Sequence, residues 1–283
     1  MFEENFRPQA IYSTYPPYHE GPYLEEYFYK RFNEENIKTG RQYIDIFWTN
    51  IYCNSQYGYT EKLDIQSELD NLDSNGKYFT IGQHDDFPKE ILPPDTLIFA
   101  AGGNVPHENL IPIPLICSKL PSEKYSAHNN KFLASFVGSA THPIRTKMYS
   151  VIKNYDDYGI ALFNWMNTVA PQNLELFISV SKSSKFVLAP RGYGRNSFRL
   201  YEAFQLNSVP VYISDNHYLP WTDELNWKDF CVLITEDELL DLNKILKSID
   251  DKKYKNMLNT GKEVYEKYFT LEGMYQNIIK RLV

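Results

Sequence analysis

From Lys185 to Glu202 the chain reads Lys-Phe-Val-Leu-Ala-Pro-Arg-Gly-Tyr-Gly-Arg-Asn-Ser-Phe-Arg-Leu-Tyr-Glu. That is an apolar strand, a glycine-bearing turn, a capping Ser197 and a helix start. The orphan N–H groups and positive dipole end of such a helix attract anions, phosphate above all. Arg195 and Arg199 stand at this same pole, where a cation is electrostatically misplaced unless a diphosphate sits between it and the helix. Glu202, one turn past Arg199, is placed either to accept the two hydroxyls of a ribose or to pair with Arg199. Gly192, Gly194 and the additional Arg191 favour the nucleotide reading. A second element of the same kind lies upstream: Phe132–Val137 ends in Gly138-Ser139, and Pro143 opens a helix with Arg145 in its first turn. Two such loops at strand carboxyl ends imply a shared anion crevice at the switch point of a doubly wound sheet. Dinucleotide and ATP sites are disfavoured, because Gly192-Tyr193-Gly194 has no third glycine in register and no Gly-Lys-Ser/Thr occurs.

A different chemistry is offered by Gly82-Gln83-His84-Asp85-Asp86-Phe87-Pro88, which follows the apolar run Lys77–Ile81. One imidazole and two carboxylates at a strand end make a general-base candidate, with Asp85, Asp86 and His84 all open as the proton acceptor. A simple capped turn accounts for the same residues. With no second histidine nearby and no Asp-x-Asp, a metal site is not expected. Tyrosine is abundant, and between Tyr12 and Tyr29 the rings alternate with prolines; His19 and Tyr23 are the candidates there for contact with an acceptor sugar.

These loops need a scaffold of alternating strands and helices. Tyr43–Thr49, Lys77–Ile81, Leu97–Ala101, Phe132–Val137, Lys185–Ala189, Val209–Ser214 and Phe230–Ile234 read as strands. Helical spacing appears over Tyr23–Phe32, at Ile65, Leu69 and Leu72, near Pro143, Asn173, Ser197 and Glu236, and through the tail from Asp250. Four prolines between Pro106 and Ser126 exclude a central strand or helix interior, so a domain boundary is placed there. Two α/β domains follow, residues 1–125 on the acceptor side and 126–283 for the nucleotide, with C-terminal helices free to pack on either.

The chain of 283 residues is 43% hydrophobic, enough for large cores and too much for intrinsic disorder. A formal charge of −7 leaves no global attraction for nucleic acid or anionic lipid, so any anion must meet a local cluster. No basic n-region precedes an apolar stretch and no run is long enough to span a bilayer, so a soluble, cytoplasmic protein without membrane insertion is expected. Cys53, Cys117 and Cys231 lack ligand-like spacing and read as buried thiols.

Ser184–Gly192, Ser197-Phe198-Arg199, Glu202-Ala203, Val209–Asn216, Leu219-Pro220-Trp221 and Leu225–Phe230 together resemble the exostosin-type glycosyltransferases, and Arg145 after Phe136-Val137-Gly138 fits the same pattern. More loosely, Lys77–Phe87 is similar to the family's strand followed by His-Asp-Phe-Gly, with Asp86 extending its single Asp, and Asn104-Val105-Pro106 to its Asp-Val-x-Pro turn. The resemblance implies a GT-B architecture, two Rossmann-like domains facing an interdomain cleft. It implies an inverting transfer from a UDP-sugar to a glycan or glycoprotein hydroxyl, with no cofactor or metal required. Donor contacts would come from Gly138, Arg145, Arg191, Gly192, Ser197, Arg199, Glu202 and Asp215, and the base from Asp85 at the family's Asp position. The His-Asp-Phe motif resembles members that transfer xylosyl units, which puts xylose ahead of glucuronic acid and galactose. A transferase-like scaffold that binds glycans without turnover is the competing expectation.

Overall fold

A computed structural model describes residues 2–11, 21–125, 131–166 and 169–283. The chain divides into two compact units, Met1–Ile116 with Tyr268–Val283, and Cys117–Lys267.

In the first unit α1 (Leu24–Glu35) is followed by β1 (Gln42–Tyr43), α2 (Trp48–Gln56), α3 (Gln66–Leu69), β2 (Tyr78–Gly82), β3 (Thr96–Ala100) and β4 (Leu110–Pro112). The strands form one parallel sheet in the order β1-β2-β3-β4. Every residue of β2 is buried, which is why its sequence is continuously apolar or small rather than alternating. Pro112 is accommodated because β4 is the sheet's edge strand, where a missing N–H interrupts no ladder beyond it.

The second unit contains β5 (Phe132–Ser139), α4 (Pro143–Ile152), β6 (Tyr158–Phe163), α5 (Pro171–Lys182), β7 (Ser184–Pro190), α6 (Phe198–Gln205), β8 (Val209–Ser214), β9 (Val232–Thr235), α7 (Leu242–Lys247) and α8 (Asp251–Val264). Its five parallel strands are ordered β6-β5-β7-β8-β9. This is the doubly wound arrangement whose connections turn opposite ways from β5 and β7, leaving a crevice outside their carboxyl ends. Phe136, Ile144, Met148, Leu188, Val211 and Ile213 are among the residues that fill one side of the sheet, and Val137, Phe177, Ile178 and Leu206 a second cluster.

Two predicted features change. Tyr43–Thr49, expected as one strand, pairs only through Gln42–Tyr43 and is helical from Trp48. Tertiary contacts outweigh its β-prone composition: Asp45 is tied to Arg7 and to the Phe2 N–H, Phe47 N–H donates to the Phe6 carbonyl, and the Trp48 indole donates to Thr80 Oγ1 at 2.7 Å. The units also divide at Ile116, before the proline stretch ends. Residues 117–125 group with the second unit, because Leu120 is buried against Phe177 and Leu206 while its N–H donates to Gln205 Oε1 at 2.9 Å.

The last helix, α9 (Leu271–Leu282), belongs to the first unit. It buries Met274, Tyr275 and Ile278, and the Tyr275 hydroxyl donates to Glu35 at 2.7 Å while Arg31 of α1 reaches both Glu35 and Glu272. Among the described residues no helix is long and apolar enough to cross a membrane.

After β3 the chain passes so close to the loop after β2 that a Cβ on Gly102 would lie 2.2 Å from the Asp85 Cα. Backbone, unlike a side-chain tip, cannot swing away. Gly102→Ala is therefore expected to destabilise the protein by about 1–3 kcal/mol in urea denaturation. Gly40→Ala, where an added Cβ meets nothing within 4 Å, should stay within roughly 0.5 kcal/mol of the parent.

Candidate active site

In the first unit the loop after β2 is held from three sides. Glu25, in the first turn of α1 and 1% exposed, accepts the Thr49 N–H at 3.1 Å and the Gln83 N–H at 3.4 Å on one carboxylate oxygen. Its other oxygen has no partner, and burial raises its pKa. Thr49 Oγ1 takes the same Gln83 N–H at 3.0 Å, and the Gln83 side chain bonds the Pro114 carbonyl and the Ile116 N–H. The loop thus leaves the sheet at a fixed angle.

His84 is 6% exposed. Its Nδ1 accepts the Asp86 N–H at 3.1 Å, and its Nε2 lies 3.2 Å from Gln56 Oε1, so the proton resides on Nε2. Burial pushes its pKa down to about 4, with Lys89 adding to the effect. Both ring nitrogens thus lie within hydrogen-bond reach of groups in the same unit, and the imidazole braces the loop that carries Asp85 and Asp86. The Asp86 carboxylate accepts Asn104 Nδ2 at 3.1 Å and has Lys89 Nζ at 3.9 Å. Asp85 is half-buried, its carbonyl accepts the Asn104 N–H at 3.1 Å, and Gly102 abuts its Cα. Gln56, Glu25, Thr49 and Gly102, all parts of this support, are not singled out by the sequence; the doubled glycine before Asn104 is a signal that could have found the close approach at Gly102.

In the second unit the loops after β5 and β7 do converge. Arg145, in the first turn of α4, donates from Nη1 to the Ser139 carbonyl at 2.8 Å, from Nη2 to Pro190 at 3.2 Å and from Nε to Arg191 at 3.0 Å. A Cβ on Gly192 would stand 3.1 Å from this guanidinium, which explains the glycine. At Gly138 the neighbour is the ring of Phe136, 2.8 Å from an added Cβ. Arg191, 9% exposed, grips both oxygens of Asp215 at 2.8 and 3.1 Å and donates to the Tyr193 carbonyl at 3.0 Å. Burial raises the Asp215 pKa, but the Arg191 hydrogen bond and charge outweigh it and the net direction is down. Gly192 N–H closes the loop on the Asn196 carbonyl at 3.3 Å. A groove of about 560 Å³ runs along the start of α4, lined by Ala140, Thr141, His142, Pro143, Thr146, Lys147 and Ser150.

Arg199 and Glu202 are paired with each other. Arg199 also donates to the Val137 carbonyl at 3.0 Å and lies over the Phe177 ring, and the Glu202 side chain is only 2% exposed. Of the two partners the sequence left open for Glu202, this structure shows the Arg199 guanidinium, three residues away on the buried side of α6. Ser197, the N-cap residue of α6, does not cap: its Oγ is buried and bonds to nothing. His142 Nδ1 instead caps α4 by accepting the Ile144 N–H.

On the acceptor side, Tyr23 is 8% exposed and packs with Cys53, so it forms part of the core and not an open platform. His19 lies outside the described residues. All three cysteines are free thiols. Among the described residues no three His, Cys, Asp or Glu side chains gather to hold a metal ion.

The buried neutral His84 has a consequence for acid stability. Because its folded pKa of about 4 lies below the unfolded 6.5, its contribution is complete above about pH 6.5 and is lost as pH falls toward about 4. The unfolded imidazole takes up a proton in that window, with a slope of at most about 1.4 kcal/mol per pH unit. Urea denaturation at about pH 7 and about pH 5 should show this loss, and His84→Asn should flatten it.

Residues 76–249 match the Exostosin GT47 domain family. A probable glycosyltransferase of Arabidopsis thaliana is 30% identical over 166 residues, 59% of this chain and 31% of that protein. The Exostosin-1 homolog of Caenorhabditis elegans is 28% identical over 101 residues, 36% of this chain and 26% of that protein. The chain therefore spans about a third or less of the length of these relatives. Among solved structures, TarM aligns with a TM-score of 0.42 at 12% identity over 73% of this chain and 51% of that one. An alpha1,3-fucosyltransferase gives 0.40 at 16% identity over 64% and 63%. The family match begins just before β2 and ends between α7 and α8, taking in the His84 loop and both loops clamped by Arg145, and by this match over more than half its length the chain belongs to the exostosin GT47 family.

Proposed function

We propose that this chain is an inverting glycosyltransferase that moves a sugar from a UDP-sugar to a hydroxyl of a glycan acceptor. The observation that carries the reading is the joining of the β5 and β7 loops by Arg145 at the switch point of the second unit's sheet. Ligands of open α/β sheets bind in that crevice, and the α6 helix start there favours the negative charge of a diphosphate. Gly138, Gly192 and Ser197 form the cradle. Arg145, the Arg191–Asp215 pair and the Arg199–Glu202 pair hold its walls.

In the reaction, an acceptor oxygen attacks the anomeric carbon as the bond from that carbon to the diphosphate breaks. The electron pair leaves with the phosphate oxygen, and the proton of the acceptor hydroxyl goes to a carboxylate. Asp85 is that base. It holds the position that resembles the family's Asp, on a loop whose backbone is fixed by the Asn104 N–H on the Asp85 carbonyl and by the Asp86 N–H on His84 Nδ1. Attack from the side opposite the leaving group gives inversion. The donor half holds a preorganised loop, so the departing charge meets dipoles that need not rearrange.

Thermal unfolding with UDP-xylose, UDP-glucuronic acid and UDP-galactose tests the donor, since a ligand at about a hundred times its Kd stabilises by roughly 2.7 kcal/mol. The xylose donor should give the largest shift; no shift with any UDP compound would remove the donor assignment. With the donor in hand, Asp85→Asn should lower transfer by about a hundredfold or more while UDP-sugar binding stays nearly unchanged. Asp86→Asn should cost less. Wild-type rates in Asp85→Asn, or donor binding without transfer or hydrolysis in the parent, would move the reading to a glycan-binding scaffold.

A further inference from the structure

Two adjacent acids stand in the first turn of α1, and their partners differ. Glu26 serves the helix end: its Oε2 accepts the Tyr23 N–H at 3.2 Å and its Oε1 the side-chain amide of Asn50 at 2.7 Å. Glu25 is buried and reaches into the unit instead. One of its oxygens accepts the N–H groups of Thr49 at 3.1 Å and Gln83 at 3.4 Å, and the Thr49 hydroxyl also donates to this carboxyl. That bond orients the hydroxyl so that a lone pair of Thr49 Oγ1 takes the Gln83 N–H at 3.0 Å. The second oxygen of Glu25 has no partner. A buried acid is costlier than an apolar residue of the same volume, so packing alone does not account for it.

From Gln83 onward the chain has no slack. The Gln83 side chain donates to the Pro114 carbonyl at 2.9 Å and accepts the Ile116 N–H at 2.8 Å. The loop folds back so tightly that a Cβ on Gly82 would lie 2.3 Å from the Phe87 ring. Only His84 separates Gln83 from Asp85, whose carbonyl is held by the Asn104 N–H and whose Cα is walled by Gly102. A displacement at the Gln83 N–H is therefore passed on to Asp85 rather than absorbed.

Resting on the reading above in which Asp85 takes the acceptor proton, we infer that Glu25 is a positioning residue for that base: through Thr49 and the Gln83 N–H it sets where the loop leaves β2, and with it the place of Asp85. The role belongs to the location of the accepting oxygen and not to its charge.

Steady-state transfer by the full chain, with the UDP-sugar the parent turns over fastest, is compared with calorimetric titration of UDP. Glu25→Gln keeps an accepting oxygen in place and should retain a kcat close to that of the parent. Glu25→Asp keeps the carboxyl but withdraws it by one methylene, and should lower kcat about 10- to 100-fold, the scale of a misplaced catalytic group, with the Kd for UDP unchanged. Parent kcat in Glu25→Asp, equal losses in both variants, or UDP affinity falling in step with kcat would overturn the inference. If Glu25→Asp does not fold, Thr49→Val decides: a lower kcat at unchanged UDP affinity supports the inference, and parent kcat overturns it. Parent rates in Asp85→Asn would overturn the base assignment instead, and a parent protein that neither transfers nor hydrolyses any UDP-sugar would overturn the transferase reading, each taking this inference with it.

Discussion

Arg145 joins two strand ends that would otherwise be separate loops. Its planar fork reaches the carbonyls of Ser139, Pro190 and Arg191, and so fixes the exit of β5 against the exit of β7 where the winding of the sheet reverses. Three carbonyls at parallel strand ends have no ladder partners beyond the sheet, and a guanidinium satisfies them with one rigid group. Gly192 is a consequence of that contact, because any side chain there would press on the guanidinium. The closed loop from Arg191 to Ser197, and the start of α6, take their positions from it.

The first unit solves a similar problem with a carboxyl. Glu25 holds α2 and the end of β2 through a single oxygen, and the next residue but one along the chain from β2 is His84. Burial disfavours the charged form of an acid and raises the pKa of Glu25, and the N–H groups of Thr49 and Gln83 offset part of that cost. The same low-dielectric setting keeps His84 neutral. Both groups therefore act as hydrogen-bonding struts, and the carboxylates of Asp85 and Asp86 sit on a loop whose backbone has little freedom.

The contrast among the arginines shows how little residue type alone decides. Arg145, Arg191, Arg195 and Arg199 are equally good phosphate ligands on paper. Three are claimed by carbonyls and carboxylates that come from other strands and helices, partners distant by up to 62 residues in sequence. Only packing reveals these partners, and only burial reveals that Glu202 faces the interior.

Much of the architecture was legible in the sequence because it rests on local signals. Continuous apolar runs closed by turn residues located β2, β3, β5, β7 and β8, and Pro143 and Ser197 marked the starts of α4 and α6. The pairing of two glycine loops at one sheet edge was also readable, since parallel strands linked by helices must present their carboxyl ends together. Long-range choices were not. The β-prone stretch at Trp48 became a helix because its indole and neighbours bond to residues remote in sequence, Leu120 joined the second unit through Gln205, and α9 joined the first through Glu35 and Arg31. Which nitrogen of His84 carries the proton, and which groups Arg145, Arg191 and Arg199 hold, depend on atoms brought within hydrogen-bond reach only by the tertiary fold; residue order supplies the candidates and three-dimensional proximity decides among them.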